Sequence, residues 1–199
     1  MAEKHYAPIK STLLETGMSL HPVEKVYSDS VSLDDPATRV MTDLMKISAI
    51  TIRPEISIEI ATQRMKHRGV RMLLVTDDKD DIIGLITSTD LQGEKPLQLV
   101  QQRGVHYRDL TVRDIMTEHA QLEVLSMEDV EKASVGQVVA TLHASGRQHA
   151  LVADRIPGSL DQSLRGIFSA AQIARQLDIE IIGPKVAETF AEIEQLIKA

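Results

Sequence analysis

Thr87, Ser88, Thr89 and Asp90 stand together at the end of a short apolar run, Ile82-Ile83-Gly84-Leu85-Ile86. Where a helix begins, the first backbone N–H groups lack intrahelical partners and carry a partial positive charge. Hydroxyls placed there either cap the helix or help hold a phosphate. A carboxylate just inside can accept hydrogen bonds from a ribose diol. On these residues alone two readings are open, a capped helix and nothing more, or an anion and sugar site. A basic cluster lies upstream at Arg64, Lys66, His67, Arg68 and Arg71. It reads either as a solvated helix end or as a contact for an anion or a partner. No nucleophile elbow and no Ser-His-Asp arrangement appears, so no catalytic residue is assigned and the chain is not expected to be an enzyme. The seven His residues lack ligand spacing with carboxylates, and there is no Cys, so no metal site is expected.

The elements that must position these residues can be read around them. Ile83 to Ile86 form a near-continuous apolar strand, as expected where both faces are covered. Met72-Leu73-Leu74-Val75 is a second strand, joined to it by the polar turn Asp77–Asp81. Ser57 can cap a helix from Ile58 to about His67, with Ile58, Ala61 and Met65 on one face and Gly69 as its stop. Ala49-Ile50-Thr51-Ile52 reads as a first strand, ended by Arg53-Pro54. A helix from Thr89 to about Gln92 closes the unit, and Pro96 to Gln102 reads as further helix or linker. Upstream, Asp35-Pro36 is a helix-start signal, followed by Val40, Leu44 and Ile47 near helical spacing. The order is strand, helix, strand, strand, helix.

Composition bounds the rest. A chain of 199 residues with 43% apolar and 26% charged residues is ordinary for a globular protein that buries one core or two small ones. Aromatics are only 3% and Trp is absent, so the core must be aliphatic. With 22 Lys plus Arg against 29 Asp plus Glu, the net charge is −7, which disfavours nucleic acid or an anionic membrane as the main partner. Met1 to Lys10 has no apolar leader, and no apolar run approaches the roughly 18 residues of a membrane span. A cytoplasmic location is expected.

The pattern returns within the chain. Asp43-Leu44-Met45 resembles Asp114-Ile115-Met116, 71 positions later. Gly69 to Asp77 resembles Gly146 to Asp154 at an offset of 77, and Gly84-Leu85-Ile86-Thr87 resembles Gly166-Ile167-Phe168-Ser169 at 82. Three blocks in series indicate an internal duplication.

With both repeats in view, the sequence resembles a tandem pair of CBS domains, the cystathionine beta-synthase type module. Asp-Leu-Met, Asp-Ile-Met, Gly-Val-Arg-Met-Leu-Leu-Val-Thr-Asp and Gly-Leu-Ile-Thr-Ser-Thr-Asp-Leu carry the resemblance, over roughly residues 35 to 180. It implies an α+β fold of two β-α-β-β-α units packed around a pseudo-two-fold axis, with an N-terminal extension and a C-terminal helix. The expected divisions are 1–34 for the extension, 35–104 and 105–182 for the two CBS domains, and 183–199 for the terminal helix.

The resemblance also implies a ligand, an adenosine nucleotide such as AMP, ADP or ATP, with no required cofactor. Thr87 and Thr89 match hydroxyls that usually contact phosphate, and Asp90 matches a carboxylate that grips ribose hydroxyls. Arg71, beside Met72, matches a basic residue facing the phosphates, while Ala49 and Ile50 match a segment lying against adenine. The implied site is thus Ala49, Ile50, Arg71, Met72, Thr87, Thr89 and Asp90. In the second repeat Ser169 keeps one hydroxyl, but Ala171 and Gln172 replace the other hydroxyl and the carboxylate. A second, weaker cleft at His149, Ser169 and Gln172 follows, because an amide lacks the charge-assisted strength of a carboxylate. The implied function is a regulatory module that signals its occupancy to a protein partner. The competing reading is a constitutive scaffold with degenerate clefts. Apolar residues on more than one helix face (Ile58, Ile60, Ala61 and Met65; Val135, Val138, Val139 and Leu142) predict a two-fold homodimer. The apolar stripe of the terminal helix, Val186, Ala187, Phe190, Ile193 and Ile197, covers either the chain's own core or a partner.

Overall fold

A computed structural model describes residues 30–156, 158 and 161–178. The terminal helix expected over 183–199 and most of the extension over 1–34 lie outside the described residues. In chain order, a 3-10 turn at Ala37–Val40 leads into β1 (Thr42–Asp43) and β2 (Thr51–Ile52), then α1 (Ile58–Arg68), β3 (Met72–Thr76) and β4 (Ile82–Thr87). Next come α2 (Ser88–Gln92), α3 (Glu94–Arg103), α4 (Val112–Ile115) and β5 (Thr117–Glu118). The second half continues with β6 (Val124–Ser126), α5 (Met127–Lys132), α6 (Val135–Ser145), β7 (His149–Arg155), β8 (Gln162–Ser169) and α7 (Ala170–Gln176).

Local chemistry places these boundaries. The Ser57 hydroxyl accepts a hydrogen bond from the Ile60 N–H at 3.3 Å and opens α1. Gly69, at φ 64°, takes the left-handed conformation that closes it. Gly146 closes α6 in the same way, at φ 62°. Ile58, Ala61 and Met65 turn one face of α1 into the core. The turn Asp77–Asp81 is held by the Asp77 carboxylate, which accepts from the N–H groups of Lys79 and Asp81 at 2.9 and 3.0 Å.

The strands form two four-stranded sheets, ordered β2-β3-β4-β5 and β1-β8-β7-β6. Within each, one strand is parallel to the sheet's central hairpin and one is antiparallel to it. The antiparallel edge is exchanged between halves. β1 precedes the first repeat yet pairs with β8, and β5 precedes the second repeat yet pairs with β4. The cores follow the exchange. Ala37, Val40 and Met41 are buried with α5, α6, α7 and Phe168, whereas Leu110, Val112, Ile115 and Met116 are buried with α1, β3 and β4. The expected divisions 35–104 and 105–182 therefore do not coincide with the packing units, because each repeat's opening segment fills the other's core.

The exchange also corrects the first offset of the duplication. Thr42 faces Ile167 and Asp43 faces Gly166, while Thr117 faces Leu85 and Glu118 faces Gly84. Val40-Met41-Thr42 is thus the counterpart of Ile115-Met116-Thr117, and Asp43-Leu44-Met45 matches Asp-Ile-Met only in letters. Glycine is needed where each exchanged edge lies close. A Cβ on Gly84 would stand 2.5 Å from the Thr117 carbonyl oxygen, and one on Gly166 would stand 2.4 Å from the Met41 sulfur. The helical spacing of Val40, Leu44 and Ile47 does not produce a helix. The 3-10 turn stops at Val40, where the chain extends to pair with β8.

Val135, Val138, Val139 and Leu142 all point into their own half, at 0, 3, 3 and 1% exposure. The surplus of apolar residues on α6 is satisfied internally. Of the apolar residues on α1, Ile60 alone stands outward, at 47%. Between the two sheets lies a thin apolar layer of Met72, Leu74 and Leu151, with Leu85 and Ile167 packed beside it. No helix among the described residues is long and apolar enough to cross a membrane.

Candidate functional site

Two clefts flank that layer, one on each side. The larger, about 830 Å³, is lined by β3 and β8, by the segment Leu44–Ile50 that leads into β2, and by the start of α7. The smaller, about 410 Å³, is lined by β4 and β7, by Gln121–Glu123 leading into β6, and by the start of α2. Each cleft combines the helix start of one repeat with the strand lead-in of the other.

That arrangement divides the expected site. Thr87, Thr89 and Asp90 line the smaller cleft, together with Arg147, Gln148 and His149. Ala49, Ile50, Arg71 and Met72 line the larger one, together with His149, Ser169 and Gln172. Ala49, Ile50, Arg71 and Met72 thus line a different cleft from Asp90. The cause is the stacking of the sheets, which sets β3 against one cleft and β4 against the other although the two strands are neighbours in one sheet.

In the smaller cleft the opening residues cap their helix. The Asp90 carboxylate accepts from the Thr87 N–H at 2.8 Å and from the Thr87 hydroxyl at 2.7 Å. The Thr87 hydroxyl in turn accepts from the Asp90 N–H at 3.2 Å, which closes a reciprocal capping box. Thr111 and Asp114 build the same device at α4, away from either cleft. In the same cleft, Arg147 forms a solvent-exposed ion pair with Glu123 at 2.9 Å, which sets a carboxylate against the guanidinium. His149 is partly buried. Desolvation, and secondarily the Arg71 guanidinium, push its pKa down to about 4, so it is neutral at pH 7.

The larger cleft has the opposite character. Leu44, Ala49, Ile50, Met72 and Ile167 supply an apolar surface, and Arg68, Arg71 and Arg175 stand around it. No carboxylate lines it among the described residues. Gln172 is oriented by the Thr42 hydroxyl, which donates to its side-chain carbonyl at 3.2 Å. Sequence reasoning missed Arg68 and Arg175 as lining residues. The upstream basic cluster was the signal for Arg68; Arg175 required knowing that α7 faces the lead-in to β2. Missed in the smaller cleft were Arg147 and Glu123. Among the described residues no group of three His, Cys, Asp or Glu side chains is arranged to hold a metal.

Comparison with known proteins places this architecture. The CBS domain family model matches residues 40–94. A curated homoserine O-acetyltransferase of Methanosalsum zhilinae is 41% identical over 51 residues, which span 26% of this chain and 10% of that protein. Among solved structures, an uncharacterized conserved protein of Pyrococcus horikoshii is similar at TM-score 0.53 and 20% identity, over 77% of this chain and 100% of that one. A protein of Methanocaldococcus jannaschii, described as an archaeal homolog of γ-AMPK, has TM-score 0.50 and 19% identity over 68% and 50% of the two chains. The CBS domain of a bacterial CNNM/CorC family Mg2+ transporter has TM-score 0.50 and 16% identity, over 76% and 80%. Residues 40–94 thus match the CBS domain model, and the duplicated sheets with their exchanged edges give the chain the fold of these similar structures.

Proposed function

We propose that this protein is a regulatory module that senses an adenosine nucleotide, AMP, ADP or ATP, in the larger cleft and passes its occupancy to a protein partner. The carrying observation is the lining of that cleft, an apolar surface for a base beside Arg68, Arg71 and Arg175 for phosphate, with no carboxylate among the described lining residues. At about 830 Å³ it falls in the size range of small-molecule sites, roughly 300–1,000 Å³. The choice of adenine follows from the CBS resemblance. Gln172, held by Thr42, serves the ribose as donor and acceptor, a role a carboxylate fills only as acceptor. Ser169 and His149 complete the sugar side. In this reading the smaller cleft with Thr87, Thr89 and Asp90 is the weaker site. Its Asp90 oxygen is engaged in a helix cap and its Arg147 in an ion pair.

A homodimer is part of the proposal, with the outward face of α1 around Ile60 as its candidate surface. Ligand shifts such an assembly only through differential affinity for two states. A melting scan with AMP, ADP, ATP, NAD and S-adenosylmethionine tests the reading. A ligand that binds only the folded state adds about 2.7 kcal/mol at roughly 100 times Kd, which moves the transition by several degrees. The expected result is stabilisation by at least one adenine nucleotide at millimolar concentration. No shift with any of the five favours the constitutive scaffold.

A further inference from the structure

Beyond Gly69, Val70 and Arg71, which form one wall of the larger cleft, lies a third cavity of about 320 Å³ lined by the same three residues. Its other lining differs from that of the cleft. Lys66, Ser88, Thr89, Gln92 and Gln148 supply an ammonium, two hydroxyls and two amides, and Met65 and Leu91 form its apolar part. No carboxylate lines it among the described residues. In a chain of net charge −7, the cleft and this chamber together gather Arg68, Arg71, Arg175 and Lys66, with no acidic side chain among their described lining residues. Such one-signed enclosures focus the field on an anion. One phosphate needs no more than the arginines of the cleft. A cation set behind them, past Arg71, has use for an anion that continues beyond the first phosphate.

We infer that the chamber is a phosphate-counting subsite and that Lys66 is its specificity-determining cation, so that the ligand is a nucleoside di- or triphosphate with its distal phosphates beside Lys66. This rests on the proposed nucleotide reading for the nucleoside half of the ligand. The chamber itself rests on its own lining. Lys66 is exposed on α1, and none of the described ion pairs or hydrogen bonds holds its ammonium. Arg71 lines both spaces.

Titration calorimetry with AMP, ATP and inorganic tripolyphosphate, on the parent protein and on Lys66→Ala and Lys66→Arg, tests this. The expected result is that the parent binds ATP about tenfold or more tighter than AMP. Lys66→Ala should erase that preference while leaving AMP within about twofold of the parent, and Lys66→Arg should keep most of it. Equal affinity of the parent for AMP and ATP overturns the inference. So does a Lys66→Ala variant that loses both ligands alike or neither. If no nucleotide binds, the proposed function falls and tripolyphosphate decides the chamber. Binding that depends on Lys66 sustains it as a polyphosphate site, and binding that does not, or none, removes it.

Discussion

The cleft that holds Asp90 encloses about 410 Å³ and the cleft that holds Gln172 about 830 Å³. Pseudo-symmetry builds both from the same parts, a strand pair, a helix start and a strand lead-in. Substitutions on those parts make them unlike. The helix start of the smaller cleft brings Asp90, its lead-in brings Glu123, and Arg147, the arginine among its described lining residues, pairs with Glu123. In the larger cleft the helix start brings Gln172 and Arg175, and the partner repeat contributes Arg68 and Arg71. The carboxylate that marks a ribose site by letter thus sits in the space less suited to phosphate. Local motif and local field are separate inheritances, and the chain has parted them.

The largest expected effect breaks this contrast if it fails. Arg71→Glu should weaken adenine-nucleotide binding by about a hundredfold, since it deletes a charge-assisted contact and adds repulsion. Asp90→Ala should leave affinity within about twofold. Calorimetry that ranks the two variants the other way round returns the ligand to the Asp90 cleft.

The exchanged edges give a second contrast. Gly84→Ala drives a methyl into the Thr117 carbonyl, which is backbone, whereas Gly166→Ala meets the flexible side chain of Met41. Overpacking of this kind costs about 1–3 kcal/mol, and urea midpoints should place Gly84→Ala at the upper end and Gly166→Ala at the lower. Equal midpoints would mean that β5 yields as easily as a methionine.

The smallest effect concerns the residue both clefts share. His149 has its pKa lowered from 6.5 to about 4 in the folded protein. Between those values the unfolded chain binds more protons, so stability falls as pH drops from about 6.5 toward 4. Replacing it, as in His149→Asn, should remove a loss on the order of 1 kcal/mol at pH 5 and flatten that part of the profile. Melting temperatures at pH 7 and pH 5 check it, and an unchanged pH dependence would place the titration elsewhere.

What could be read beforehand was what local chemistry decides. Ser57 and Gly69 bracket α1 by their own cap and turn preferences, and Met72 to Val75 is covered on both faces as its apolar run implies, while Ile83 to Ile86 alternates buried with half-buried residues. Thr87 and Asp90 were legible as a pair with two uses, and the capping use is realised in their mutual hydrogen bonds. The composition of each cleft was not legible, because it depends on which strand of one sheet lies over which strand of the other. Arg175 and Ala49 are more than a hundred residues apart, and no spacing rule joins them. The first repeat offset went astray for a related reason. Asp43-Leu44-Met45 imitates Asp114-Ile115-Met116, and only the register of β1 against β8 shows that Met41 is the true counterpart of Met116.

The exchange of β1 and β5 also bears on what can be divided. A repeat excised at its borders in the sequence would carry an edge strand with no sheet to join and leave its own sheet with an open edge. Its core would lack the side chains lent by the other repeat, Val40 and Met41 or Val112, Ile115 and Met116. Neither half is then a separable folding unit. The two should unfold in one cooperative transition, because each sheet and each core is completed by the other repeat.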